Sequence, residues 1–260
     1  MAKIIAITNQ KGGVGKTTTA VNLSASLTAT KRRVLLVDLD PQGNATVGSG
    51  FPKTLEKTIN EVLLQQLQAY EAVVTAEAGY DLLPANNRLT VAEVRLLNLP
   101  EREFRLKKTL NAVIEQYDFI FIDCPPTLNI LTVNALVASD SVLIPIQCEY
   151  FALEGLTGLL SSIDRLRQSV NPELKIEGLL RTMYDARNCL TIEVSEQLMQ
   201  HFGEKVYHTA IPRNVRLAEA PSHGKPILQY DARSQGAAAY LALAGEIIRH
   251  NQIRMAEATS

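Results

Sequence analysis

The stretch QKGGVGKTT, which runs from Gln10 to Thr18, decides the fold of this chain. It follows a short apolar run from Ile4 to Ile7 and precedes a helix-like segment from Thr19 to Leu27. A strand, a glycine-rich loop and a helix in this order are the context that a phosphate-binding loop requires. We therefore predict a strand, loop and helix unit that binds phosphate at the start of the chain.

The residue types of this loop suit a nucleoside triphosphate. Gly12, Gly13 and Gly15 let the backbone take positive φ and approach an anion, so that successive N–H groups can point at it. The helix that starts near Lys16 adds its unpaired N–H groups and the positive end of its dipole. The Lys16 amine supplies a charge for the β- and γ-phosphates, and the Thr17 hydroxyl is placed to ligate Mg²⁺. The loop therefore predicts a site for a nucleoside triphosphate and Mg²⁺.

The loop departs from the standard pattern G-x-x-x-x-G-K-[ST], because Gln10 stands at the first glycine position and Lys11 adds a second lysine. The deviant form K-G-G-x-G-K-T-T resembles the loop of the ParA/MinD group of P-loop ATPases. In that group the first lysine reaches across a dimer to the nucleotide held by the other subunit. A glycine turn with two incidental lysines is the alternative interpretation.

The composition is that of an ordinary globular protein and limits the kinds of partner. The 260 residues are 46% hydrophobic and 20% charged, with a formal net charge of −1. Because there is no overall field to attract nucleic acid or an anionic membrane, any DNA binding must use a local patch. The three cysteines are widely spaced and lack a C-x-x-C pattern, which argues against a disulfide framework and a zinc site. We therefore predict a cytoplasmic protein.

Short aliphatic runs alternate with longer helical patterns along the whole chain. This alternation is typical of βαβ units, and the continuous apolar run Arg33 to Asp38 is typical of a strand covered on both faces. We predict an α/β fold with one P-loop domain over residues 1–260, a mostly parallel twisted sheet and helices on both faces. Because the first strand follows Met1-Ala2-Lys3 directly, we expect no N-terminal helix-turn-helix extension and no signal peptide.

Acidic side chains follow three predicted strands, at the edge of the sheet where open α/β folds bind ligands. Asp38 and Asp40 lie two residues apart in an extended segment, so either could hold a Mg²⁺-bound water or the attacking water. The alternative for this pair is a helix-capping acid and a Pro-Gly turn. Asp123 ends the apolar run FIFID, which is the Walker B arrangement that orients Mg²⁺. Glu149 follows a further strand. It either contacts the nucleotide or a partner, or is a solvated acid of the loop, and the sequence favours neither interpretation.

Four separate stretches match one family in their order and separation. They are Gln10 to Thr18, Val37 to Asn44, Phe121 to Pro126 and Ile211 to Lys225. The chain resembles the ParA/Soj ATPases that partition chromosomes or plasmids, of the short kind without an N-terminal helix-turn-helix domain. The resemblance covers essentially the whole chain, and the stretches DLDPQGN and PRNVRLAEAPS are specific within the wider P-loop class.

The resemblance implies slow hydrolysis of ATP with Mg²⁺ in a dimer that sandwiches the nucleotide. The catalytic residues are then Lys11, which acts in trans, Lys16, and Asp40, which positions the hydrolytic water. The metal ligands are Thr17 and Asp123. The nucleotide contacts predicted by the loop, the strand ends and the resemblance together are Lys11, Gly12, Gly13, Val14, Gly15, Lys16, Thr17, Thr18, Glu149, Met183, Pro212 and Asn214.

The resemblance also implies that the ATP-bound dimer binds double-stranded DNA without sequence preference, and that a ParB-type partner stimulates hydrolysis and release. The matching basic positions are Arg187 and Arg216, with Lys225 as a weaker candidate. The acidic neighbours Asp185 and Glu219 favour an alternative in which both arginines form local ion pairs. A homodimer would double the number of phosphate contacts, on which affinity depends steeply. The expected location is the cytoplasm, on the nucleoid.

Three other functions share this kind of loop. A MinD-like membrane-associating ATPase needs a terminal amphipathic helix with basic and apolar faces, which the final residues MAEATS do not supply, so no membrane partner is expected. An iron-sulfur reductase resembling the nitrogenase iron protein needs paired cysteines, and Cys124 has no second cysteine in a matching context. A metabolic ligase or kinase needs a pocket for a second small substrate, for which the sequence has no motif.

Overall fold

The apolar runs of the sequence form the strands of one sheet, and the segments between them form helices. This computed structural model describes residues 2–259, with side chains described up to residue 252. The strands are β1 (Lys3–Ile7), β2 (Val34–Asp38), β3 (Val74–Thr75), β4 (Asp81–Leu83), β5 (Phe119–Asp123), β6 (Ser141–Gln147) and β7 (Lys175–Thr182). The helices are α1 (Lys16–Ala29), α2 (Asn44–Gly48), α3 (Ile59–Leu63), α4 (Ala69–Ala72), α5 (Leu89–Leu96), α6 (Arg105–Asn111), α7 (Ile130–Ala138), α8 (Ala152–Ser169), α9 (Cys189–Phe202), α10 (Val215–Glu219), α11 (Ile227–Tyr230) and α12 (Gln235–Thr259).

The seven strands lie in the order β3-β4-β2-β5-β1-β6-β7. Neighbouring strands run parallel except for the edge pair of β3 and β4, which is antiparallel. The predicted α/β fold with a mostly parallel sheet is therefore confirmed. Because β1 lies between β5 and β6, the loop that follows it lies where the strand order reverses, which is where ligands of such sheets bind.

Helices cover both faces of the sheet, and successive residues of the central strands point to opposite faces. Ile4 and Ala6 of β1 pack in one core with α5, α6, α7 and α8, whereas Ile5 and Ile7 pack in a second core with α1 and α12. All four side chains are buried. This double coverage explains why the strands are continuously apolar and confirms the prediction of helices on both faces.

The parallel register brings the ends of three strands together. Ile7 of β1 and Asp38 of β2 both lie opposite Asp123 of β5. The loop after β1 therefore begins beside the two carboxylates that end their strands. This edge of the sheet holds the candidate site.

Some helices differ from the sequence patterns. The helix predicted over residues 58–67 is the shorter α3, because Gln65 has a φ of 59° and leaves the helical conformation. The helix predicted over residues 104–116 is α6, because Val113 has a φ of −125° and separates it from a following 3₁₀ turn. The sequence did not predict α7, whose first turn is capped by the side chain of Asn129.

The last helix, α12, packs on the helix that follows the glycine-rich loop. Tyr240, Leu243 and Ile247 lie at helical spacing and are buried, as predicted. The Tyr240 hydroxyl oxygen lies 3.2 Å from Oγ1 of Thr19 in α1, so the two helices are joined by a buried hydrogen bond. Within residues 2–259, no helix combines the length and the apolar character needed to cross a membrane.

Candidate nucleotide-binding site

The loop between β1 and α1 uses glycine where its backbone is left-handed. Gly13 and Gly15 have φ values of 74° and 87°, which few other residues adopt readily. Gly12 has no positive φ, so the expectation for this glycine was wrong; it lies in an open turn where an added Cβ would meet nothing within 4 Å. The helix begins at Lys16, as predicted, and its unpaired N–H groups therefore face the loop.

Lys16 is a buried amine inside the loop. Its Nζ donates a hydrogen bond of 3.2 Å to the carbonyl oxygen of Lys11. Burial lowers the pKa of Lys16, and the nearby acidic groups of Asp123 and Asp40 act in the opposite direction. A phosphate group at the loop would add the anion that this desolvated amine requires.

Two fully buried carboxylates lie side by side next to this amine, at the ends of β2 and β5. Burial raises the pKa of Asp38 to about 6. Burial and then the charge of Asp38 raise the pKa of Asp123 well above its usual value, and the nearby Thr17 hydroxyl offsets part of this rise. Among the described residues, neither oxygen of Asp123 has a hydrogen-bond partner of normal geometry. Thr17 and Asp123 therefore fit a Mg²⁺ ion, which favours hard oxygen ligands and would relieve the repulsion between the acids.

Asp38 and Asp40, of which the resemblance assigns the hydrolytic water to Asp40, differ in their hydrogen bonds. Oδ2 of Asp38 accepts bonds of 2.7 Å from both the backbone N–H and the hydroxyl of Thr46, which fix the start of α2. Asp40 is also buried, but only its Oδ1 accepts a bond, of 2.9 Å from the Gln42 N–H. Asp38 therefore has a structural partner, whereas Asp40 keeps an oxygen available for a water molecule.

Lys11 and Glu149 form an ion pair at the mouth of the loop. Lys11 Nζ lies 2.7 Å from Oε2 of Glu149, and both side chains are partly exposed. The other oxygen of Glu149 accepts a 2.6 Å bond from the side-chain amide of Gln147. The structure thus brings together two residues that the sequence predicted separately, and it adds Gln147, which no motif indicated.

A cavity of about 400 Å³ opens beside the loop. Its lining includes the predicted residues Met183, Pro212 and Asn214, and also Thr182, Arg213 and Tyr240, which the sequence did not predict. The Thr182 hydroxyl donates a bond of 2.8 Å to the carbonyl oxygen of Val14, so the end of β7 is joined to the loop. Met183 has a φ of 49°, an uncommon value for this residue type that often marks a functional position. The volume and the largely apolar lining suit a nucleoside.

The candidate DNA-binding residues lie in two different settings. Arg187 is 90% exposed and holds both oxygens of Asp185, at 2.9 and 2.8 Å, which lowers the pKa of that carboxyl. Arg216 is 55% exposed and pairs with Glu219 at 2.9 Å. Lys225 is only half-exposed and lines a cavity of about 240 Å³ together with Thr17 and Thr18. The local ion pairs that the sequence suggested for the two arginines are therefore present.

The loop, the paired acids and the nucleoside-sized cavity define the chain as a P-loop nucleoside triphosphatase. A family model described as an AAA domain, AAA_31, matches residues 2–176. The chain is 55% identical over 249 residues to the sporulation initiation inhibitor protein Soj of Bacillus subtilis, covering 95% of this chain and 98% of that protein. It is 49% identical over 260 residues to the chromosome partitioning protein ParA of Caulobacter vibrioides, covering 98% and 97%. The chain belongs to the ParA/Soj family of chromosome-partitioning ATPases.

A solved structure that is described as a synthase has the same fold. Cobyrinic acid a,c-diamide synthase from Mycobacterium smegmatis, with a bound ATP analogue and magnesium, matches with a TM-score of 0.86 and 38% sequence identity. The match covers 97% of this chain and 96% of that one. This likeness shows the fold, and a fold alone does not establish which process a protein serves.

Proposed function

We propose that this chain is an ATP-driven dimerisation switch that binds double-stranded DNA without sequence preference in its ATP state. A ParB-type partner stimulates slow hydrolysis and so releases the protein from the nucleoid. The observation that carries the proposal is the second loop lysine, Lys11, whose partly exposed amine lies at the mouth of the loop rather than inside it. An outward lysine there can reach the nucleotide of a second copy, whereas Lys16 serves its own nucleotide.

Each part of the nucleotide has candidate binding residues in this chain. The backbone N–H groups of the loop and the start of α1 bind the phosphates, together with Lys16. Thr17 and Asp123 would hold Mg²⁺, which supplies charge neutralisation at the β- and γ-phosphates. Met183, Pro212 and Asn214 would contact the base. Once the ion pair between Lys11 and Glu149 breaks, Glu149 contacts either the nucleotide or the second copy. Asp40 orients the attacking water.

The experiment that tests the dimerisation step is a measurement of molecular mass with ATP, with ADP and without nucleotide, each with Mg²⁺. The proposal expects a doubling of mass with ATP alone, because only ATP presents a γ-phosphate to the lysine of the second copy. An unchanged mass in all three conditions would contradict it.

An exposed aromatic pair adjoins the Lys11–Glu149 ion pair and supports a second copy on this face. Tyr150 and Phe151 are 76% and 65% exposed, and their rings are 5.0 Å apart in an edge-to-face arrangement. Two neighbouring aromatic side chains rarely face water without a partner, and aromatic residues are enriched at interfaces. Because Tyr150 follows Glu149 directly, a copy that meets Lys11 would also cover this pair.

We expect the double variant Tyr150→Ser/Phe151→Ser to weaken ATP-dependent dimerisation by about tenfold or more, since buried aromatic anchors often contribute over 1 kcal/mol each. Binding of ATP to the single chain should remain, because neither residue lines the nucleoside cavity. The matched control is Tyr70→Ser, which removes an equally exposed aromatic side chain from α4. Unchanged dimerisation of the double variant would place the interface elsewhere.

The DNA-binding patch is proposed to contain Arg187 and Arg216, with Lys225 contributing less because it is half-exposed. We expect Arg216→Glu to retain ATP binding and to lose DNA binding, since each dimer loses two phosphate contacts and gains two negative charges. Arg165→Glu makes the same change of charge at an exposed position on α8 and serves as the control. Equal DNA affinities of the two variants, measured at one salt concentration, would move the patch away from Arg216.

One observation favours a second candidate function, a metabolic ATP-dependent enzyme. A polar cavity of about 290 Å³ shares Met183 and Arg213 with the nucleoside cavity and could admit a second small substrate. The synthase that matches this fold keeps this candidate open. ATP turnover that rises with DNA and a partner protein supports the partitioning switch, whereas turnover that rises only with a small metabolite supports the enzyme.

A further inference from the structure

Two segments that carry candidate site residues meet at a close contact of their backbones. We name residues 40–50 the switch segment, and residues 214–225, which carry Arg216, the arginine segment. A Cβ on Gly224 would lie 2.8 Å from the Cα of Gly50, and a Cβ on Gly50 would lie 3.0 Å from the carbonyl oxygen of Gly224. Their φ values are 62° and 90°. The contact therefore requires glycine on both sides, and no flexible side chain lies between the two backbones.

The switch segment is tied to the acids of the nucleotide site at its start. Asp38 accepts bonds from the backbone and the hydroxyl of Thr46, both of 2.7 Å, and Asp40 accepts a bond from the Gln42 N–H. The segment then turns back on itself after α2, where the Gly50 N–H donates a bond of 3.0 Å to a carbonyl of that helix. The Gly43 N–H also bonds to the carbonyl oxygen of Asp40, at 2.9 Å, and the Val47 N–H to that of Gly43, at 3.1 Å, so a continuous set of hydrogen bonds joins Asp40 to Gly50.

The arginine segment is held at both of its ends by parts of the nucleotide site. Asn214 lines the nucleoside cavity and caps α10, the helix that carries Arg216. Just beyond Gly224, the Ile227 N–H donates a buried bond of 2.6 Å to the side chain of Asn22 in α1. The stretch between these two anchors, which contains Arg216, reaches the switch segment at Gly224.

We infer that Gly50 and Gly224 are positioning residues through which the nucleotide site sets the position of Arg216. The inference rests on the proposed function, in which Asp40 orients the water that attacks the γ-phosphate of ATP. When the γ-phosphate shifts the switch segment, the glycine contact moves the arginine segment with it, because packed backbone transmits a displacement instead of absorbing it. In the structure, Arg216 lies 2.9 Å from Glu219 and 3.6 Å from Asp231, and a displacement of α10 that breaks these ion pairs would free it for DNA phosphates.

The test uses Gly224→Ala and Gly50→Ala in the full chain, with ATP affinity and DNA affinity in saturating ATP measured for each. Both variants are expected to bind ATP nearly as the unmodified chain does and to bind DNA about tenfold or more weakly, within the usual range of coupling between sites. Gly203→Ala is the matched control: Gly203 also has a positive φ, of 51°, but an added Cβ there meets nothing within 4 Å. The control is expected to bind DNA normally.

Each outcome decides between distinct conclusions. If the unmodified chain shows no ATP-dependent DNA binding, the proposed function fails and not the inference alone. If the unmodified chain and Gly224→Ala bind DNA equally in ATP, the glycine contact does not position Arg216 and the inference is overturned. If Gly50→Ala and Gly224→Ala both lose more ATP affinity than Gly203→Ala does, the contact has a purely structural role. That result also overturns the inference.

Discussion

Replacement of Lys16 by alanine is expected to abolish nucleotide binding. The amine is buried, its pKa is lowered by that burial, and its one hydrogen bond in the described structure is to a backbone carbonyl of the loop. A phosphate is its natural partner, and removing one member of a buried charge pair typically costs 2–5 kcal/mol, or roughly 30-fold to several thousand-fold in affinity. Titration calorimetry or a fluorescent ATP analogue measures the change.

The control for this variant is Lys107→Ala, which removes an exposed lysine on α6. It should bind ATP normally, and both variants should keep the thermal transition of the unmodified chain in the absence of nucleotide. ATP affinity of Lys16→Ala within a few-fold of normal would contradict the assignment of the loop as the phosphate site.

Asp40→Ala is expected to lower the rate of ATP hydrolysis strongly and to leave the affinity for ATP nearly unchanged. Asp40 is buried beside Lys16, and one of its oxygens is free of hydrogen bonds within the described residues, so it can orient a water molecule. A positioned base of this kind typically contributes about 10²- to 10⁴-fold to a rate. ATP affinity should change little, and the ATP dimer should stay on DNA because hydrolysis no longer releases it.

Single-turnover hydrolysis and the lifetime on immobilised DNA measure these two consequences. Asp164→Ala, which removes an exposed carboxylate on α8, is the control for the loss of one negative charge. Normal hydrolysis by Asp40→Ala would transfer the water-positioning role to another group. Asp38 would be the next candidate, although the Thr46 hydrogen bonds favour a structural role for it.

The phosphate loop and the strand ends could be predicted from sequence because their chemistry is local. Gly13, Gly15 and Lys16 follow a strand directly, and each has a role that depends on its own backbone or charge. Asp123 could be placed beside the loop because parallel strands end at one edge, and the register of β1 and β5 agrees. The expectation of a positive φ at Gly12 was wrong, because the sequence of a glycine-rich loop does not show which of its glycines adopts that conformation.

The features that could not be predicted depend on contacts between distant parts of the chain. The Thr182 bond to Val14 and the Gly50–Gly224 contact join segments more than 160 residues apart, and no short motif encodes either. The early end of α3 depends on Gln65, a residue that shows no strong preference for ending a helix. Glu149 was placed at the correct edge, but its pairing with Lys11 required the fold.

In the proposed switch, ATP and not ADP makes this chain a DNA-binding dimer. The most direct test is the affinity for random-sequence duplex DNA with ATP, with ADP and without nucleotide, across a salt series and with molecular mass followed in parallel. We expect binding with ATP alone, a steep loss of affinity as salt rises, and a doubled mass in the same samples. Equal binding in all three nucleotide states, or binding in none of them, would rule out the proposed switch.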